Sequence, residues 1–163
     1  MSIDVHFSSV SNEWETPKSL FASLNREFNF DLDAAATKEN ALCENFFTIQ
    51  DDSLSQDWSQ YKNIWCNPPY GRLIGKFVEK AFNESKKGCT VVMLIPARVD
   101  TKYFQNFCSL GQVLFIKGRL KFINKSFPSY REDGDFKVSP APFPSAIVVF
   151  KNGQQPSTSY GSV

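Results

Sequence analysis

The chain has 163 residues, of which 42% are hydrophobic and 15% aromatic, and its formal net charge is +1. This length supports one substantial core and is too short for a second full domain. No apolar run approaches a membrane span, and residues 1–6 lack the basic and apolar regions of a secretion signal, so we expect a cytoplasmic protein.

The cysteines and the single histidine argue against a metal centre or a disulfide framework. Cys43, Cys66, Cys89 and Cys108 show no CxxC or CxxH spacing, which predicts reduced thiols that lie mostly in the core. His6 is the only histidine, so zinc ligands would have to converge from distant positions. We therefore expect no metal.

The small net charge conceals a division along the chain. Residues 1–66 contain four Lys or Arg and eleven Asp or Glu, a net charge of −7, whereas residues 67–163 contain fourteen and six, a net charge of +8. An acidic region favours a cationic small molecule, and a basic region favours a polyanion such as nucleic acid. The alternative is an ordinary mixed surface on which these charges intermingle in space.

The first predicted elements are a helix and a strand. Thr16 can cap and Pro17 can begin a helix that runs to about Phe28, because apolar residues recur there at three- and four-residue spacing. Residues 28–33 then alternate between apolar and polar, which predicts a strand with one buried face that ends at Asp33.

The middle of the chain continues the alternation. Residues 64–66 are the next predicted strand, and an apolar stripe over residues 73–82 predicts a helix that Gly88 ends. Residues 90–95 form a continuous apolar, β-branched run of the kind that is buried on both faces of a parallel sheet. They predict a central strand.

The last third contains shorter elements. Asp100 or Thr101 can cap a short helix to about Phe107, and residues 113–116 and 119–123 are predicted to pair as a hairpin because only two residues join them. Residues 146–150 predict a final buried strand, and the polar residues 152–163 a disordered tail.

This order of elements predicts an α/β domain over residues 1–151. Its sheet should be mostly parallel, with helices on both faces and the antiparallel hairpin at one end. Residues 124–145, with four prolines, form a segment too long for a passive connection, so we expect it to be functional or mobile.

The most informative motif follows the second predicted strand and reads Asn67-Pro68-Pro69-Tyr70. A nucleobase amine is a poor nucleophile because the ring delocalises its lone pair. The Asn67 amide oxygen and the Pro68 carbonyl could each accept one amine hydrogen, while the prolines stiffen the turn and Tyr70 stacks on a base that has left its duplex. The simpler interpretation is that two prolines only end a strand.

Acidic residues accompany this motif. Because ligands bind beyond the carboxyl ends of the strands in such sheets, Asp33 and Asn67 should line one crevice. Asp51 and Asp52 add an acidic loop, and the helix that begins at Thr16-Pro17 offers free amides to a carboxylate.

The chain resembles phage DNA N6-adenine methyltransferases in a series of motifs that covers nearly all of it. The matching residues are Trp14-x-Thr16-Pro17, Phe30-x-Leu32-Asp33-x-Ala35-Ala36, Asn40-Ala41-x-Cys43, Trp58, Cys66-Asn67-Pro68-Pro69-Tyr70-Gly71, Leu94-Ile95-Pro96-Ala97-Arg98, Gly118-Arg119-Leu120-x-Phe122 and Pro142-Phe143-Pro144-Ser145-Ala146.

The resemblance implies a Rossmann-like methyltransferase fold that uses S-adenosylmethionine to methylate adenine N6 in DNA. If the protein is phage-encoded, its location is the bacterial host cytoplasm. It also implies roles for single residues. Thr16 would hold the methionine carboxylate, Asp33 the amino group or ribose, and Asp52 the cofactor adenine; Trp14, Pro17 and Ala34 would complete that site. Asn67, Pro68, Pro69 and Tyr70 would form the target-adenine site.

Two features depart from the family pattern. The loop after Asp33 lacks the Gly-x-Gly that usually lets the backbone approach the cofactor, although small alanines such as Ala34 permit a close approach. No separate target-recognition domain is visible, so residues 124–145 are the candidate DNA-contacting segment. The basic residues that could contact DNA phosphates are Arg72, Arg98, Arg119 and Lys121.

Other functions fit the same motif. The acceptor geometry also suits cytosine N4 or a glutamine side chain in a protein. A further alternative is a catalytically silent DNA-binding or anti-restriction protein that has kept the fold. The sequence leaves the oligomeric state and the recognised DNA site open.

Overall fold

Six strands form one sheet in the part of the chain that the computed structural model describes, residues 14–122 and 140–163. Within these residues, three α-helices and several short 3-10 turns accompany the strands. The helices are α1 (Lys18–Phe28), α2 (Ile74–Ser85) and α3 (Lys102–Asn106), and the strands are β1 (Leu32–Asp33), β2 (Asn63–Cys66), β3 (Thr90–Pro96), β4 (Gln112–Ile116), β5 (Ser145–Lys151) and β6 (Ser157–Gly161).

The sheet is mixed but mostly parallel, as predicted. Its strand order is β1-β2-β3-β5-β4-β6. Strands β1, β2 and β3 pair in parallel, β5 runs antiparallel to both β3 and β4, and β6 is parallel to β4. Every strand except β5 therefore ends at the same edge, which also holds the start of β5. We call this the C-terminal edge, defined by Asp33, Cys66, Pro96, Ile116 and Ser145.

Helices cover both faces of the sheet, which confirms that prediction. Trp65 of β2 is in register with Val92 and Val149, so the three share a face, and Phe21 of α1 packs on the Trp65 ring with centroids 5.7 Å apart. Phe150 follows Val149 and points to the other face, where it contacts Phe82 of α2 at 5.8 Å. Thus α1 and α2 lie on opposite faces.

Strand β3 is the centre of the core. All seven of its residues are buried, and Val91 to Ile95 are fully so. Burial of each aliphatic side chain contributes about 1.5–3 kcal/mol relative to leaving it in water. This rigid strand separates β2 from β5 and fixes the spacing of everything at the C-terminal edge.

The predicted hairpin is wrong. Gly118, with φ 75°, turns the chain after β4 as expected, but the following residues do not pair back onto that strand. Both edges of β4 are already occupied, one by β5 and the other by β6. Lys121 instead forms an isolated bridge with Pro140.

Two further boundaries differ from the sequence predictions. Strand β1 contains only two residues, and Phe28, predicted to begin it, is the last residue of α1, which Asn29 ends in a left-handed conformation, φ 54°. The polar tail is not disordered throughout, since Ser157–Gly161 forms β6. Its backbone pairs with β4, and Lys117 N donates to Gly161 O at 2.8 Å. The available edge of β4 therefore gives this polar segment a strand conformation.

Some predictions fall on residues that the structure does not describe. The candidate DNA-contacting segment, 124–145, lies outside the described residues up to position 139. Within residues 14–122 and 140–163, no helix combines the length and hydropathy needed to cross a membrane.

Candidate active site

The side chain of Asn67 is held in one orientation directly after β2. Its Nδ2 donates to the Trp14 carbonyl oxygen at 2.6 Å and to Thr16 Oγ1 at 3.0 Å. A backbone carbonyl can only accept a hydrogen bond, so the NH2 group must face it. The segment before α1 therefore determines which way the Asn67 amide points.

This orientation leaves the amide oxygen of Asn67 available. Asn67 Oδ1 is buried, and it has no hydrogen-bond partner among the described residues. An unsatisfied buried acceptor costs about 1–3 kcal/mol, so such atoms are rare unless a ligand completes them. The arrangement presents an acceptor whose direction is fixed and whose hydrogen-bonding position is not filled by any described residue.

The rest of the motif forms a rigid turn. Pro68 is buried, Pro69 is exposed, and Gly71 has φ 123°, a conformation that side chains other than hydrogen strongly disfavour. Helix α2 begins three residues later. The motif thus joins a buried strand to a buried helix with little freedom between them.

Tyr70 is buried, with 5% of its surface exposed, and its hydroxyl donates to the Leu94 carbonyl of β3 at 3.2 Å. Burial raises the pKa of Tyr70, so the hydroxyl stays protonated and remains a donor. This bond ties Tyr70 to β3, the strand that lies between β2 and β5.

Four rings of the described residues meet at this point, and we call them the aromatic cluster: Trp14, Tyr70, Phe122 and Phe143. Tyr70 contacts Phe143 edge-on at 5.5 Å and Phe122 at 6.2 Å. Trp14 contacts Phe143 at 5.2 Å and Phe122 at 5.7 Å. Stacking of a base on Tyr70 requires these rings to separate, and the stacking role stays a prediction.

Asp33, at the end of β1, uses its carboxylate to build the loop that follows. Oδ1 accepts from Ala35 N at 3.3 Å and Oδ2 from Leu42 N at 3.1 Å. Burial raises the pKa of Asp33 to about 6, while the two backbone donors oppose that rise. The carboxylate is therefore mostly ionised at neutral pH, although only 3% of the residue is exposed.

The acidic loop lies beside β1 as expected. Ala34 is fully buried, and its carbonyl accepts from Ser53 Oγ at 2.6 Å. That bond holds Asp52, the preceding residue, next to the end of β1. Asp52 is exposed and has φ 51°, an uncommon conformation for a residue other than glycine. Asp33, Ala34 and Asp52 thus come together on one side of Asn67.

Thr16 does not cap α1 as predicted. The N-terminal cap position belongs to Pro17, with no side-chain capping bond. Thr16 is 8% exposed, and its hydroxyl accepts from Asn67 instead. A residue assigned to the cofactor therefore contacts the residue assigned to the target base, and Trp14 also touches both Asn67 and the aromatic cluster.

The four basic residues that are candidates for phosphate contacts are exposed. Each of them follows a strand that ends at the C-terminal edge. Arg72 follows the Asn67 motif, and Arg98 follows β3, where Thr101 Oγ1 donates to its carbonyl at 2.7 Å. Arg119 and Lys121 follow β4. The topology brings all four to the edge that holds Asn67.

The cysteines offer no alternative nucleophile. Cys66 is fully buried, and burial raises its pKa well above the ordinary value, so the thiolate is disfavoured. Burial likewise raises the pKa of Cys108 to about 12. In the described ranges, His, Cys, Asp and Glu side chains form no group that could hold a metal ion.

Three features of the site were not assigned from the sequence. They are the Trp14 carbonyl as an anchor for Asn67, the hydroxyl of Ser53 that fixes the acidic loop, and the buried hydroxyl of Ser145 at the start of β5. Serines are too common for their type to signal such roles. Of the two serines, only Ser145 stood within a motif, Pro142-Phe143-Pro144-Ser145-Ala146.

Comparison with known proteins gives a consistent result. A family described as DNA N-6-adenine-methyltransferase (Dam) matches residues 6–163. A protein of Haemophilus phage HP1 named DNA N-6-adenine-methyltransferase is 33% identical over 156 residues, which cover 92% of this chain and 82% of that protein. A protein of Escherichia phage T1 with the same name is 38% identical over 96 residues, 58% of this chain but only 40% of the phage T1 protein.

Proposed function

This chain belongs to the DNA N-6-adenine-methyltransferase family, and we propose that it transfers the methyl group of S-adenosylmethionine to the N6 amine of adenine in DNA. The observation that carries this proposal is the Asn67 amide. Its nitrogen is anchored by two acceptors, while its buried oxygen has no partner among the described residues.

Asn67 acts on the amine that is to be methylated. By accepting one N–H from it, Oδ1 draws electron density toward the nitrogen and turns the lone pair out of conjugation with the ring. Because the amide is already oriented, this interaction requires little reorganisation during the reaction. Removal of one such preorganised group typically costs 10²–10³-fold in kcat.

Residues on the β1 side are suited to the methyl donor. The Asp33 carboxylate, with a pKa of about 6, is mostly anionic at neutral pH and favours a cationic ammonium group. Asp52 is exposed beside it, and Thr16 and Pro17 precede α1. S-adenosylmethionine supplies a methyl group on positively charged sulfur, so displacement by the adenine nitrogen needs no covalent enzyme intermediate.

The DNA must deliver an unpaired adenine to Asn67. Arg72, Arg98, Arg119 and Lys121 can contact phosphates around the C-terminal edge, where they would fix the position of the strand without reading its sequence. Tyr70 would receive the extrahelical base once the aromatic cluster opens, and stacking there offsets part of the cost of leaving the duplex.

The test is methyl transfer from labelled S-adenosylmethionine to DNA, followed by nucleoside mass spectrometry. We expect N6-methyladenine from DNA that contains adenine and none from a matched strand without it. Formation of N4-methylcytosine would instead show that the substrate is cytosine in DNA. Label found only in protein glutamine would show that the substrate is a protein.

Calorimetry with S-adenosylmethionine separates the enzyme from a silent DNA-binding protein. The enzyme must bind the methyl donor, whereas a silent relative binds DNA without it. DNA binding with no detectable heat from the donor would refute catalysis.

A further inference from the structure

Two buried side-chain polar atoms lack a hydrogen-bond partner in the described part of the chain, and both lie at the C-terminal edge. One is Asn67 Oδ1, the acceptor discussed above, and the other is the hydroxyl oxygen of Ser145. Ser145 is only 1% exposed. A hydroxyl placed there without a partner is destabilising for the folded protein alone, which indicates that a ligand completes its hydrogen bonding.

Strand register places Ser145 on the same face as Asn67. Ser145 pairs with Pro96, and alternation along β5 gives it the face of Ile147 and Val149. Val149 shares that face with Trp65, which packs against α1. Asn67 lies on the α1 side as well, since it donates to Trp14 and Thr16 just before that helix.

Asn67 follows β2, and Ser145 begins β5. The spacing between these two strands matches the size of one nucleobase. Only β3 separates β2 from β5, and neighbouring strands lie about 4.8 Å apart, so the two strands are about 10 Å apart across the sheet. A purine with a hydrogen bond on each side bridges a gap of this size. Tyr70 is tied to β3, the strand between these two, and its ring touches Phe143, two residues before Ser145.

The strand order also determines which ligand reaches Ser145. Asp33 and Asp52, the residues suited to the methyl donor, lie on the β1 side of Asn67, whereas Ser145 lies on the opposite side. Donor and acceptor of a methyl group in direct displacement must stand on opposite sides of the transferred carbon. The ligand on the β5 side is therefore the methyl acceptor.

We propose that Ser145 contacts the target adenine directly, donating its hydroxyl hydrogen to a ring nitrogen while Asn67 Oδ1 accepts from the N6 amine. This inference rests on the proposed function. Adenine carries acceptor nitrogens on its ring edges, and a serine hydroxyl is both small and able to donate. The contact would hold the base in the plane in which Asn67 can act on the amine.

The first test compares Ser145→Ala with a matched control, Ser85→Ala. Ser85 is also buried, at 4% exposure, but its hydroxyl donates to the Phe82 carbonyl at 2.7 Å near the end of α2. We expect Ser145→Ala to lower kcat/KM for DNA about tenfold, the effect of one hydrogen bond, without lowering the melting temperature. Ser85→Ala should lower the melting temperature and leave kcat/KM near the wild-type value.

The second test locates the contact with DNA in which the target adenine is replaced by 1-deaza-, 3-deaza- or 7-deazaadenine. One analogue should lower wild-type kcat/KM about tenfold more than it lowers that of Ser145→Ala, because the variant has already lost the bond. Equal losses for both proteins on all three analogues would overturn the contact.

Calorimetry with S-adenosylmethionine completes the design. The donor's Kd should be the same for wild type and Ser145→Ala; a weaker Kd would assign the hydroxyl to the donor and overturn the proposal. A melting temperature that falls as in Ser85→Ala would make the hydroxyl structural. If the wild-type protein methylates adenine and Ser145→Ala is equally active, the inference about Ser145 is wrong while the proposed function stands. If the wild-type protein is inactive, the proposed function is wrong.

Discussion

Asn67 and Asp33 stand at the ends of neighbouring parallel strands, yet they use their polar atoms in opposite ways. The NH2 group of Asn67 donates hydrogen bonds to two acceptors, and its oxygen has no partner among the described residues. Asp33 engages both carboxylate oxygens with backbone N–H groups of the following loop. Asn67 keeps an acceptor oxygen open, whereas Asp33 uses both of its oxygens to hold the loop beside it.

The difference shows how one edge of a sheet can hold two functions. The Asn67 oxygen has no partner among the described residues, and in the proposed mechanism it accepts a hydrogen bond when a base arrives. The Asp33 charge is stabilised by backbone donors but raised in energy by burial, which leaves its pKa at about 6. Four substitutions test this division, from the largest expected effect to the smallest.

Asn67→Ala should lower kcat by about 10²–10³-fold, since it removes the preorganised acceptor. The Kd for S-adenosylmethionine should change little, because the residues suited to the donor lie on the β1 side. Single-turnover methylation and calorimetry measure the two quantities. Asn63→Ala, at the other end of the same strand, is the control and should keep nearly full activity. Unchanged turnover in Asn67→Ala would refute the mechanism.

Asp33→Asn should change how stability depends on pH. A carboxyl whose folded-state pKa lies above its unfolded value of 3.8 binds more protons when folded, so stability falls as pH rises from about 4 to about 6. The shift corresponds to at most about 3 kcal/mol. Urea unfolding at pH 4, 5, 6 and 7 should show this decline in the wild type and a smaller one in the variant. Parallel curves would contradict the raised pKa.

Thr16→Val should lower kcat about tenfold, because Asn67 Nδ2 loses one of its two acceptors and the amide is held less firmly. Thr16→Ser keeps the hydroxyl and should retain most of the activity. The pair is compared under saturating S-adenosylmethionine, which separates orientation of Asn67 from any weakening of donor binding. Equal activity of the valine and serine variants would show that the Trp14 carbonyl alone orients the amide.

Tyr70→Phe should lower the free energy of unfolding by about 1 kcal/mol, since it removes the hydrogen bond to the Leu94 carbonyl and keeps the ring. Methylation should stay close to wild type if the ring face is what the base uses. Tyr70→Ala is the contrasting variant and should lose both packing and activity. Denaturant titration and kcat/KM on DNA give the two measurements, and a large activity loss in the phenylalanine variant would assign the hydroxyl a role of its own.

Much of the fold followed from local pattern. The apolar spacing of α1 and α2 and the continuous apolar run of β3 predicted these elements because each depends on which faces are buried. Pairing partners were harder to predict. The segment after Gly118 has the composition of a hairpin strand, but β5 and β6 already pair with both edges of β4. A two-residue turn in the sequence does not reveal that other strands occupy those edges.

The amino-acid sequence by itself determined that the Asn67 motif follows a buried strand, that acidic residues precede it, and that the chain alternates helices with strands, because these are properties of neighbouring residues. Only the tertiary structure decided which way the Asn67 amide points and that Ser145 shares its edge. Trp14 and Thr16 lie 53 and 51 residues from Asn67 along the chain. Ser145 reaches the C-terminal edge because β5 is antiparallel to β3 and begins there. Contacts at such separations depend on the whole fold, which no local pattern specifies.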